Sequence, residues 1–148
     1  MSVLVDTSVW IDHFRSGNAA LAHLVGLDLA LTHPMVVVEL ACGTPPTPRE
    51  HTLGGLSLLR TCNQATLNEV QELVERERLY GLGCGLVDMA LLASTLITPG
   101  ARLWTGPAPA GAGAAIRRRA WHPLRRVMDL PEKLSGQVLT PLERNDAS

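Results

Sequence analysis

The chain has 148 residues, of which 46% are hydrophobic and 18% charged, with a formal net charge of −1. That is enough for one domain with its own core, too few for two ordinary domains, and unlike a disordered chain. The near-neutral balance excludes bulk attraction to nucleic acid, and 3% aromatic content excludes a stacking platform for many bases, so any polynucleotide contact needs a local site.

"SVLVD" is short, apolar and β-branched, which predicts a buried strand ending at Asp6. Thr7 and Ser8 can cap the next element, and "SVWIDHFRSG" predicts a short helix stopped at Gly17. "NAALAHLVGL" sets Leu21, Leu24 and Val25 on one helical face, and "LALTH" reads as a second strand. "PMVVVELACG" is ambiguous: Pro34 and Gly43 suit the ends of a helix, whereas three consecutive valines suit a strand. "TPPTP" is a loop, and "REHTLGGLSLLRTC" carries Leu53, Leu56 and Leu59 at helical spacing.

The clearest helix is "TLNEVQELVERERLYG". Thr66 and Glu69 match a capping box, Leu67, Val70, Leu73 and Val74 form the apolar face, and Glu72 with Arg76 is an i,i+4 pair. "GLGCG" reads as a turn, because it lacks the preceding strand and the spacing of a phosphate loop. "LVDMALLASTLI" is apolar nearly all round, hence a buried helix, and "ARLWT" is a final strand. Strands alternating with helices predict an α/β domain with a mainly parallel sheet.

From Gly106 the texture changes. "GPAPAGAGAAIRRRAWHPLRR" is dominated by Gly, Ala, Pro and Arg and has no acidic residue. The expectation is therefore a regular domain over 1–105 and an atypical, irregular or disordered tail over 106–148. The arginine-rich stretch reads as surface charge in such a tail, with a basic RNA-contact arm as the sharper alternative.

Cys42, Cys62 and Cys84 are odd in number and fit no zinc spacing, so they read as small apolar residues in a reducing compartment. The five histidines show no ligand spacing. No run approaches the ~18 apolar residues of a membrane helix, and the N-terminus lacks a signal-peptide pattern, which together predict a cytoplasmic protein away from membranes.

Three carboxylates stand alone among apolar neighbours: Asp6 after "VLV", Glu39 within "HPMVVVELACG", and Asp88 within "GLVDMALLAS". A buried, unpaired carboxylate costs several kcal/mol, so each either faces water or meets a cation. Asp6 could cap the helix after it, Glu39 could sit at a solvated edge, and Asp88 could cap or pair with an arginine. Ligands of parallel α/β sheets gather at the carboxyl ends of strands, where Asp6 lies. If the three converge, a hard cation such as Mg²⁺ or Mn²⁺ would hold them, and such an ion supports phosphodiester hydrolysis by lowering the pKa of a bound water. Asp12, beside His13 and Arg15, reads as a solvated surface charge.

"VLVDTSVWIDHFR", "HPMVVVELACG", "GLGCGLVDMALLAS" and "RLWT" occur in an order and spacing that resemble the PIN-domain ribonucleases of bacterial toxin–antitoxin modules, the VapC family, over Val3 to Thr105. The resemblance implies a Rossmann-like PIN fold with Glu39 on a helix, and Mg²⁺-dependent endoribonuclease activity on tRNA or ribosomal RNA. It also implies a VapB-type antitoxin partner and a homodimer. Asp6, Glu39 and Asp88 match the acidic metal ligands of the family, with Thr7 and Ser8 as hydroxyls beside the metal. The resemblance breaks after Thr105: family members continue into one residue and then an aspartate, whereas this chain reads Gly106, Pro107, Ala108, and its next acidic residue is Asp129. A frame change just after Thr105 would produce this texture, and translating the neighbouring nucleotides in the other two frames tests it. The missing carboxylate also opens a second expectation, a catalytically inactive PIN remnant that only binds an antitoxin. A third is a metal nuclease directed at DNA.

Overall fold

The computed structural model describes residues 1–81, 83–106 and 127–128. The elements of the described residues are, in chain order, β1 (Ser2–Val5), α1 (Thr7–Ser16), α2 (Ala19–Gly26), β2 (Ala30–Thr32), α3 (Pro34–Cys42), α4 (Arg49–Ser57), β3 (Arg60–Thr61), α5 (Leu67–Arg76), α6 (Leu86–Ile97), β4 (Ala101–Trp104) and β5 (Val127–Met128). The strands form one parallel sheet in the order β3-β2-β1-β4-β5. Parallel neighbours cannot be joined by a tight turn, so helix pairs carry the chain back between β1 and β2, β2 and β3, and β3 and β4.

β1 is the middle strand. Its Val3 and Leu4 pair with Ala30 and Leu31 of β2, and its Leu4 and Val5 pair with Leu103 and Trp104 of β4. Val3, Leu4 and Val5 have no exposed surface, as expected for a strand covered on both faces. Leu21 and Leu24 of α2, Leu91 and Leu92 of α6, and Leu103 of β4 complete the deepest part of the core.

α3 is helical, which settles the ambiguity of its valines. Pro34 lies in its first turn, where a missing N–H is harmless. His33 precedes it and accepts the Met35 N–H on Nδ1 at 3.0 Å. Val36 is buried, whereas Val38 is 60% exposed, so the run is read at the helical period. α6 spans the predicted residues and is buried from Met89 to Thr95. Its buried hydroxyls are satisfied: Thr95 donates to the Leu91 carbonyl at 2.7 Å, and Ser94 accepts the Ala65 N–H at 3.1 Å. The Thr66–Glu69 capping box forms at the start of α5. Gly81 and Gly83 have φ of 70° and 77°, left-handed values that favour glycine and suit the turn expected there.

Several local expectations are corrected. "REHTLGGLSLLRTC" is not one helix: α4 stops at Ser57, and Arg60–Thr61 pairs with Leu31–Thr32 as β3. Leu67 is 64% exposed and lies off the apolar face of α5. Glu72 accepts from Asn68 at 3.0 Å, and Arg76 turns to Glu77 at 3.3 Å, so the Glu72–Arg76 pair does not form. Val25 is largely outside the core, and Cys42 is exposed, whereas Cys62 is buried.

Val127 and Met128 pair with Leu103 and Trp104, so the chain returns to the sheet beside β4. Gly106 is buried. The rest of the atypical tail, with the arginine-rich stretch and Asp129, lies outside the described residues.

Candidate functional site

Asp6 comes directly after β1. Its N–H donates to the Trp104 carbonyl at 2.9 Å, and its own carbonyl accepts the Val9 N–H at 3.1 Å. The residue therefore ends the β1 ladder and opens α1. Its side chain does not cap that helix. Instead, one carboxylate oxygen, Oδ2, accepts the Ser8 hydroxyl at 2.8 Å. With 7% of its surface exposed, this carboxyl is held above the ordinary value of 3.8, chiefly by burial; the Ser8 hydroxyl and Thr7 backbone N–H oppose the shift, and the charges of Asp88 and Glu39 add to it. Asp88 and Glu39 thus share the electrostatic neighbourhood of Asp6.

The three positions are not equivalent. Only Asp6 is buried. Glu39 is exposed on α3, at the solvated edge that its sequence context left open, and its Oε2 accepts the Thr7 hydroxyl. This bond ties the first residue of α1 to α3. Asp88 is half-buried in the first turn of α6, where its Oδ2 accepts the Gly85 N–H at 3.2 Å. It therefore helps to start that helix. Among the described residues, no three acidic, histidine or cysteine side chains are gathered into a ready metal cage. No arginine relieves them either: the ion pairs among the described residues are Arg60–Asp28 and Arg76–Glu77.

Two contributors escaped sequence reasoning. Gly106 donates its N–H to the Ser8 hydroxyl oxygen at 3.0 Å, a backbone contact that leaves no trace in residue type. His33, by accepting at the start of α3, sets the helix that carries Glu39. Its position before a proline in a helix's first turn was the available signal. The His33 imidazole is buried and held below its ordinary value by that burial.

The order of these elements, with an aspartate after the central strand, a glutamate on a proline-initiated helix and an aspartate opening a buried helix, invites comparison with known proteins. Ribonuclease VapC32 of Mycobacterium tuberculosis, from strain CDC 1551 / Oshkosh, is 48% identical over 103 residues, covering 70% of this chain and 82% of the relative. The same protein of strain H37Rv matches to the same extent. The chain belongs to the VapC ribonuclease family. No family model matches it. Asp6, Glu39 and Asp88 offer only oxygen atoms, and the ionisation of the most buried of them is opposed by burial and by the other two carboxylates. That is the chemistry that suits a hard divalent cation rather than zinc or copper.

Proposed function

We propose that this VapC-family chain is the toxin of a type II toxin–antitoxin pair and acts as a Mg²⁺-dependent endoribonuclease. The observation that carries the reading is Asp6: a buried carboxylate whose charge is opposed by its surroundings and met by no protein cation among the described residues. Asp6, Glu39 and Asp88 would hold Mg²⁺, with Mn²⁺ as a substitute. When bound, the ion supplies charge neutralisation at the scissile phosphodiester and an acidified water. The chain's own part is orientation. Ser8 holds Asp6, and Thr7 holds Glu39; Glu39 would exchange that hydroxyl for the ion.

tRNA or ribosomal RNA is the proposed substrate, a VapB-type antitoxin the proposed partner, a homodimer the proposed assembly and the cytoplasm the proposed site of action. No helix of the described residues is long and apolar enough to cross a membrane. A second reading is favoured by Pro107 standing where the family pattern carries an aspartate and by Asp88 already engaged at its helix start: a catalytically inactive member that binds an antitoxin only.

The deciding experiment incubates the purified full chain with total tRNA, with Mg²⁺ or with EDTA, beside Asp6→Asn and with single-stranded DNA as a second polymer. Mg²⁺-dependent RNA cleavage that Asp6→Asn abolishes supports the enzyme. Intact RNA from a folded, monodisperse sample that still binds antitoxin supports the inactive member. Preferential cutting of DNA would overturn the choice of RNA.

A further inference from the structure

We infer that Gly106 is a positioning residue, which acts through the Ser8 hydroxyl to aim Asp6. A serine hydroxyl has one proton to give and two lone pairs to accept with. Ser8 is the second residue of α1 and has no helical carbonyl one turn before it to bond. The Gly106 N–H takes one of its lone pairs at 3.0 Å, and the Ser8 proton goes to Asp6 Oδ2 at 2.8 Å. The three groups form a directed chain, Gly106 N–H to Ser8 hydroxyl to Asp6 carboxylate, in which each bond polarises the next. It joins the segment leaving β4 to the end of β1, across 98 positions of sequence.

What glycine supplies here is space, since its backbone needs no left-handed conformation. A Cβ at position 106 would stand 3.1 Å from Ser8 Oγ and 3.3 Å from Ser8 Cβ. Contacts that short would force Ser8 to move by a few tenths of an ångström, and the hydroxyl that orients Asp6 would move with it. The residue after Thr105 therefore tunes the carboxylate without touching it. This rests on the reading of Asp6 as a metal ligand.

The test is a double-mutant cycle read by Mn²⁺ affinity, measured by titration calorimetry on the full chain. Gly106→Ala and Ser8→Ala are each expected to weaken Mn²⁺ binding roughly tenfold, the scale of losing a group that orients a ligand. The double variant is expected to bind no more weakly than Ser8→Ala alone, because the alanine at 106 then has no hydroxyl to displace. Losses that multiply, or a Gly106→Ala chain that binds like the unaltered protein, would overturn the positioning role and leave the metal site standing. An unaltered chain that takes up no Mn²⁺, or an Asp6→Asn chain that binds it equally well, would overturn both. If Gly106→Ala does not fold, Ser8→Ala decides: it should weaken Mn²⁺ binding and speed hydrogen exchange at the Gly106 amide, and no change in either overturns the inference.

Discussion

Burial and two neighbouring carboxylates raise the Asp6 carboxyl above 3.8, and the sign of the consequence is definite. The folded chain then holds a proton that the unfolded chain releases, so stability is greatest below 3.8 and falls as pH rises through the folded-state value. At neutral pH the ionised Asp6 works against the metal-free fold. Asp6→Asn keeps an oxygen to accept from Ser8 and removes that charge. We expect it to raise the thermal midpoint of the metal-free chain by about 3 °C at pH 7, with no gain at pH 3; calorimetric scans at both values check this. The cysteines make a second residue-scale prediction. Burial pushes the Cys62 thiol up to about 11, whereas Cys42 is exposed. A thiol reagent at pH 8 should modify Cys42 within minutes and Cys62 only on unfolding, as peptide mapping of the labelled chain would show.

Among the elements, α3 carries Glu39 and depends on an unusual cap. His33 accepts through Nδ1, which requires a neutral imidazole. Its folded-state value lies below 6.5, so its contribution is present in full above 6.5 and is lost as pH falls through that lowered value. His33→Ala should cost about 2 kcal/mol by removing a cap and buried contacts, and His33→Asn should recover about half of it. Denaturant titrations at pH 7.5 and 5.5 check both, and the difference between the unaltered chain and His33→Asn should shrink at the lower pH. Legibility also varied by element. α6 and the Thr66–Glu69 box were readable because apolar periodicity and cap chemistry are local signals. β3 was not: Arg60 and Thr61 are exposed and carry no strand pattern, and they become a strand by pairing with β2. The direction of Glu39 stayed open between a solvated edge and a cation partner, because its neighbours are apolar on every side of the helix. Of the candidate site, Asp6 was legible from the apolar run before it; the Gly106 contact belongs to the backbone and was not.

At the scale of the molecule, stability rests on a narrow parallel sheet and the helices packed on it. Leu103 is fully buried on β4 and lies opposite Leu4 of the central strand. Leu103→Ala should cost about 2–5 kcal/mol, a large share of the 5–15 kcal/mol typical of a domain. A reduced denaturant midpoint with an unchanged slope would bear that out, and a shift of under about 1 kcal/mol would place the core elsewhere. The long-range pairing has a consequence during synthesis. The first strand made lies in the middle of the sheet, and its partner β4 begins only at Ala101. A ribosome must release the chain through Trp104 before β1 is flanked on both sides and Asp6 finds the carbonyl that anchors its N–H. An unfinished chain therefore carries Asp6 without the strand that flanks β1 and anchors the Asp6 N–H. An aspartate made among the first residues is thus set in place only when a strand made much later docks beside it.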